Sequence, residues 1–171
     1  MKISLDEITN WQEFENLVAD YFRLIKDDTK NDVFDVEVKL SGTDSDGGRD
    51  ILLTLLLRDS VVSFKRKWIV QCKFYNRSVS KSHIFDVNIP SLIHEYGADG
   101  YLLICKTTAQ SELTKSFEQL NQNCKFQYRY EIWTGDEFAL KVVNSTPLLF
   151  EKYFPDFFYD YSQKYNKKIT K

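Results

Sequence analysis

The sequence predicts an α/β fold with a mixed central β-sheet flanked by helices, and three observations carry that expectation. An amphipathic helix opens the chain, a meander of strands follows it, and from about residue 80 onward helical and strand patterns alternate. At 171 residues and 43% hydrophobic content, the chain can bury one core and is too short for two ordinary domains.

The elements follow in order. Thr9 with Gln12 three residues later, preceded by Ile8, has the form of a capping box, which starts a helix near Asn10. Trp11, Phe14, Val18, Tyr21, Phe22 and Ile25 recur at helical spacing and form one apolar stripe. VFDVEVKL then alternates, with Phe34, Val36, Val38 and Leu40 on one side, as a half-buried strand does. The loop SGTDSDGG feeds into Arg49, Asp50 and a second strand, Ile51 to Leu57. A turn at Arg58-Asp59-Ser60 and the basic Lys65-Arg66-Lys67 lead to a third strand, Trp68 to Tyr75, antiparallel to the second. Next come a helix from about Ser80 to Tyr96, a buried strand Tyr101 to Cys105, a helix near Ser111 to Gln122 and a strand Gln127 to Trp133. Pro90 should kink or divide the first of these helices, since it lacks a backbone donor and clashes with the preceding turn. Gly135-Asp136 opens a short helix, and LLFEKYFPDFFYDY reads as a packed terminal helix or as a surface that meets another domain.

Composition excludes several classes of function. Three cysteines, Cys72, Cys105 and Cys124, lack metal-ligand spacing and support neither a disulfide framework nor a zinc knuckle, so a reduced, cytoplasmic setting is expected. No apolar run approaches a membrane span, and no membrane partner is expected. The net charge of −2 confines any nucleic-acid contact to local basic clusters, of which there are two: Lys65, Arg66 and Lys67, and Lys73, Arg77 and Lys81. Taken alone, these clusters equally describe a solvated hairpin tip and a helix start. His83 and His94 do not pair at metal-ligand spacing, and no nucleophile elbow or phosphate-cradling loop is present.

One constellation carries chemistry. Hydrolysing a phosphodiester with magnesium requires oxygen ligands for the ion and a group that places and deprotonates water. Asp50 stands at a strand start beside Gly47 and Gly48, where a carboxylate can leave the sheet and backbone can approach a phosphate. Gln71 and Lys73, two apart, share one face of the third strand, while Val70 and Cys72 point to the other. Around the first helix, with Trp11 as zero and about 100° per residue, Phe22 falls near about 20° and Glu15 near about 40°, at the edge of the apolar stripe. An acid there is costly unless it binds a cation or hydrogen-bonds, which makes Glu15 a metal or water ligand. Asp46, beside the glycines, is more often a turn former and ranks as secondary, with Gly47 and Gly48.

WQEFENLVADYF, GTDSDGGRDILL and WIVQCKFY, in that order, resemble the catalytic domain of Mrr-type restriction endonucleases, a branch of the PD-(D/E)XK superfamily. The similarity covers roughly Trp11 to Phe138 and also takes in YLLICKTTA. It implies a restriction-endonuclease-like core and a catalytic set of Asp50, Gln71, Lys73 and Glu15. In that set Asp50 coordinates the metal, Gln71 stands where the superfamily has an acid, and Lys73 orients and stabilises the attacking hydroxide. Glu15 supports the ion directly or through water, and the backbone carbonyl of Cys72 is a further ligand. The implied cofactor is Mg²⁺, with Mn²⁺ able to substitute.

The expected function is therefore metal-dependent endonucleolytic cleavage of DNA in restriction or anti-phage defence. Two alternatives stand beside it: an inactive nucleic-acid-binding or assembly module of the same fold, and a nuclease of RNA or branched DNA. Read singly, Asp50 is compatible with a turn cap, Lys73 with an exposed strand lysine and Glu15 with a partner of a core arginine or tyrosine; the complete set favours catalysis. DNA is the expected partner, with Lys65, Arg66, Lys67, Arg77 and Lys81 as the contacting residues. Residues 1–143 are expected to form the nuclease domain, and residues 144–171 an aromatic helical segment with a basic tail that leads toward a further domain. One active site cuts one strand, so a homodimer would serve both, and a fused or associated sensor or NTPase module is compatible with the chain.

Overall fold

Five strands lie side by side in sequence order: β1 (Val33–Leu40), β2 (Ile51–Arg58), β3 (Ser63–Lys73), β4 (Gly100–Cys105) and β5 (Arg129–Trp133). The computed structural model describes residues 2–27, 32–41, 48–58 and 60–169. β1, β2 and β3 form an antiparallel meander, whereas β3, β4 and β5 run parallel. The sheet is therefore mixed, as expected. Parallel neighbours need crossovers, and α2 (Ile89–Tyr96) and α3 (Ser111–Asn123) supply them on one face. The other face is covered by α1 (Trp11–Leu24), α4 (Gly135–Val143), α5 (Leu148–Tyr153) and α6 (Pro155–Ile169).

Strand alternation distributes the apolar residues between two cores. Ile51, Val70, Leu102 and Ile104 pack with Phe14, Val18 and Phe138 on the α1 side. Ile69, Tyr101, Leu103 and Cys105 pack with Ile93, Leu113 and Phe117 on the α2–α3 side. All six residues of β4 are buried, which accounts for its continuous apolar run.

Several expectations need correction. The cap of α1 is Asn10, whose side chain accepts from Glu13 N–H at 2.8 Å, while the Glu13 carboxylate reaches back to Thr9 N–H at 2.8 Å. The reciprocal pair thus sits one residue later than Thr9 and Gln12. Trp11 is the first residue of the helix and is 51% exposed, so it does not belong to the buried stripe. A register shift between Val33 and Asp35 turns Phe34 outward, where Arg58 stacks over its ring at 4.7 Å. Leu40 is exposed at the strand end. β3 begins at Ser63, so Lys65-Arg66-Lys67 lie within a strand rather than at a hairpin tip, and it ends at Lys73. The segment from Ser80 divides into a single 3₁₀ turn, Lys81–Ile84, and α2. Pro90 sits in the first turn of α2, where its missing N–H costs nothing.

The aromatic terminal segment is packed. Leu149, Phe150, Tyr153, Phe154 and Phe157 join the α1-side core. Asp20 on α1 accepts from Lys152 Nζ at 2.6 Å, Tyr153 Oη at 2.7 Å and Arg23 at 2.7 Å. Burial alone would raise its pKa, but these donors outweigh burial and lower it. Glu7 accepts from Asp156 N–H at 3.0 Å at the start of α6.

Candidate functional site

Asp50 lies one residue before β2, and its backbone is fixed on both sides. Its N–H donates to Val70 C=O at 3.0 Å, and its C=O accepts from Ser41 N–H at 2.8 Å. The carboxylate then turns toward β3, and Oδ2 accepts Cys72 N–H at 2.5 Å. A side chain thus takes the acceptor role that a strand carbonyl would fill, which holds the carboxylate at the carboxyl end of β3. Because β3, β4 and β5 are parallel, their carboxyl ends share this edge, where open α/β sheets place their ligands.

The two faces of the sheet bring different groups to this carboxylate. From the α1 side comes Glu15. Its neighbours by helical angle, Phe22 and Ala19, are both buried, so Glu15 falls inside the buried arc rather than at its edge. Burial first, and the charge of Asp50 second, push its pKa up to about 7. From the α2–α3 side comes Gln71, 4% exposed. Its Oε1 accepts the Tyr101 hydroxyl at 2.6 Å. Gly48, at φ +102°, presses against it: a Cβ there would lie 3.2 Å from Gln71 Nε2 and 2.5 Å from Val87 Cγ2. Lys73, half-buried, follows on the same strand. Burial raises the Asp50 pKa, while the Cys72 N–H and the Lys73 charge pull against it, leaving it raised overall. The Cys72 thiol is pushed well above its usual range by burial, then by Asp50 and Glu15.

The family model of the Mrr catalytic domain, described as a restriction endonuclease, matches residues 5–140. The chain belongs to this restriction endonuclease family. Among solved structures, it is similar to the MspJI restriction endonuclease in complex with a 27-mer oligonucleotide. The TM-score is 0.51 at 18% identity, covering 75% of this chain and 27% of that one. A second similar structure is the DNA modification-dependent restriction endonuclease AspBHI, with a TM-score of 0.48 at 14% identity, covering 89% of this chain and 41% of that one. The first likeness shows a shared fold, and the chain spans 27% of that protein's length. No curated protein matches the chain.

Within this restriction endonuclease domain, the donor chemistry suits a hard divalent cation. The charge of Asp50 disfavours ionisation of the Glu15 carboxylate, and a cation between them would relieve that repulsion. The set is lean: among the described residues no three His, Cys, Asp or Glu side chains form a group that could hold a metal. Asp46 and Gly47 lie outside the described residues. No described helix is long and apolar enough to cross a membrane.

The basic residues divide. Arg77 and Lys81 are exposed in the segment following β3. Lys65, Arg66 and Lys67 lie toward the opposite end of β3, about 20–26 Å along the strand from Lys73. Lys67 is engaged there, its Nζ donating to Tyr96 C=O at 3.0 Å in the last turn of α2. His83 accepts Ser80 N–H at Nδ1 (2.9 Å) and stacks on Tyr75 at 4.5 Å, a satisfied histidine.

Sequence reasoning missed two groups. Tyr101, which holds Gln71, sits in an unbroken apolar run that gives no sign of a polar partner. Lys106 follows β4 and is 9% exposed. Its Nζ donates to Asn76 Oδ1 at 3.0 Å and lies 4.6 Å from the centroid of the Phe74 ring, so it ties down the loop after Lys73. A lysine directly after a six-residue buried strand was the available signal.

Proposed function

We propose that this chain is a divalent-metal-dependent DNA endonuclease domain of a restriction or anti-phage system, using Mg²⁺ with Mn²⁺ as a substitute. The observation that carries the reading is the Asp50 carboxylate, held against Cys72 N–H beside Lys73 and electrostatically coupled to Glu15 from the opposite face. Asp50 and Glu15 would hold the ion, with the Cys72 carbonyl and Gln71 amide oxygen as further donors. Bound there, the ion supplies Lewis-acid polarisation of the phosphate and a lowered pKa for water. Lys73 orients the attacking oxygen and balances negative charge as it develops. Arg77 and Lys81 neutralise DNA phosphates next to the site, and the Lys65 to Lys67 arm reaches backbone further along the duplex.

The test is plasmid nicking by the purified chain with Mg²⁺ or Mn²⁺, against the same reaction in EDTA. Cleavage lost in EDTA and in Asp50→Asn and Lys73→Met supports the reading, whereas folded variants as active as wild type would sink it. A second reading, binding without cleavage, draws on one observation: the Gln71 oxygen already accepts the Tyr101 hydroxyl. Calorimetry that finds no divalent-ion binding in the presence of DNA would favour it.

A further inference from the structure

β3 and β4 pair with an offset of 32 residues, Lys73 lying opposite Cys105. Past these residues the two chains stay side by side, but the offset becomes 30. Lys106 Nζ donates to Asn76 Oδ1 at 3.0 Å, Thr107 Oγ1 donates to Arg77 C=O at 2.7 Å, and the Ser78 and Thr108 hydroxyls bond at 2.9 Å. Val79 and Ala109 then form a parallel bridge, with Val79 N–H on Thr108 C=O and Gln110 N–H on Val79 C=O, both at 2.8 Å. Side chains thus continue the pairing where the backbone ladder stops. The change of offset leaves Phe74 and Tyr75 surplus on the β3 side, a bulge placed directly after Lys73. It is clamped from both faces: Phe74 packs on Phe14 with ring centroids 5.9 Å apart, and Tyr75 stacks on His83 at 4.5 Å.

Within this strap the side chains of Asn76, Ser78 and Lys106 are spent on holding it together. Arg77 is different. Its side chain is exposed, and among the described residues no acid forms an ion pair with it. What is fixed is its backbone, through the bond from Thr107. The Thr107 carbonyl in turn accepts Gly135 N–H at 2.8 Å at the start of α4, where a Cβ would run into the Lys106 carbonyl oxygen.

We infer that Thr107 is a positioning residue for DNA: its hydroxyl holds the Arg77 backbone, so that the exposed guanidinium meets a phosphate with little left to order. In this role Thr107 contacts no phosphate and acts only through Arg77. The inference rests on the endonuclease reading for the presence of DNA beside Lys73, but it concerns binding and not the cutting step. Valine in place of Thr107 keeps the shape and every charge and removes only the bond to Arg77, which isolates the effect.

Anisotropy of a labelled DNA duplex over a series of salt concentrations, with Ca²⁺ replacing Mg²⁺ to keep the duplex uncut, tests this on the full chain. Arg77→Ala is expected to weaken binding and to lower the slope of log Kd against log salt by about one. Thr107→Val, folded by circular dichroism, is expected to weaken binding about three- to tenfold at unchanged slope, since no phosphate contact is removed. Thr107→Ser retains the hydroxyl and is expected to bind as wild type does. Arg77→Ala combined with Thr107→Val is expected to bind no more weakly than Arg77→Ala alone, because the two residues act as one. Wild-type affinity in Thr107→Val, a double variant weakened by the product of the single losses, a Thr107→Ser as weak as Thr107→Val, or a chain that binds no duplex would each overturn the inference. Cleavage judges the endonuclease reading separately: a wild type that shows this binding pattern and leaves DNA uncut with Mg²⁺ would end that reading while the role of Thr107 stands.

Discussion

The α1 face and the α2–α3 face of the sheet both end at Asp50, but they deliver different chemistry. The α1 face brings an ionisable group, Glu15, whose pKa is pushed up to about 7 by burial and by the neighbouring carboxylate. The opposite face brings a neutral amide, Gln71, whose oxygen is held by Tyr101. One face therefore carries charge that a cation can relieve, and the other carries geometry. Strand alternation explains how both reach one place: Cys72 shares the α1 core while Gln71 and Lys73 face the other side, and the Asp50 carboxylate bonds to the strand between them.

The largest effects should come from the two charged groups at the carboxyl end of β3, Asp50 and Lys73. Asp50→Asn and Lys73→Met are each expected to lower single-turnover DNA cleavage by about 10²–10⁴-fold, with the fold retained by circular dichroism. A loss smaller than tenfold in either would dissolve the site.

Glu15→Gln separates the faces through stability. The folded pKa of about 7 lies above the ordinary value of 4.5. The folded chain therefore holds more protons than the unfolded chain between these limits, and stability falls as pH rises through that window. Removing the acid is expected to raise thermal stability at pH 8 without metal, by about 1 kcal/mol once solvent screening of this half-exposed group is allowed for. No change is expected at pH 4. Added Mg²⁺ should narrow the gap at pH 8 by stabilising wild type, and a gap that is independent of both pH and Mg²⁺ would remove Glu15 from the ion's surroundings.

Effects confined to the amide face should be smaller. Tyr101→Phe leaves a buried acceptor on Gln71 unmet, which costs about 1–3 kcal/mol in denaturant unfolding, with cleavage changed less than tenfold. Gly48→Ala meets Val87 at a positive φ and is expected to cost about 1–3 kcal/mol, its effect on cleavage coming through the loop that carries Asp50. A Tyr101→Phe variant as impaired as Asp50→Asn would show that both faces carry the chemistry equally.

Much of this arrangement was legible in the sequence because it rests on periodicity. The strands β1, β2 and β4, the strand-start position of Asp50 and the shared face of Gln71 and Lys73 follow from alternation and apolar runs. What was illegible depends on contacts between distant segments. Phe34 turned outward because a bulge broke the period of two. Trp11 fits the helical stripe, but it is the first residue of the helix and stays exposed. The bond from Tyr101 to Gln71 requires the β3–β4 register, which no local pattern encodes, and the Lys65 to Lys67 cluster is near Lys73 in sequence yet lies toward the other end of an extended strand.

The hydrogen bond from Asp156 to Glu7 and the donors gathered on Asp20 fasten the last helices to the first ones. Phe150, Phe154 and Phe157 complete the core that Phe14 and Val18 begin. That core is therefore closed by contacts between segments far apart in the chain, the kind whose loop-closure entropy slows folding. Glu15 stands on the helix that these distant residues pack against, so the slow step of the fold and the arm of the site are one piece of structure.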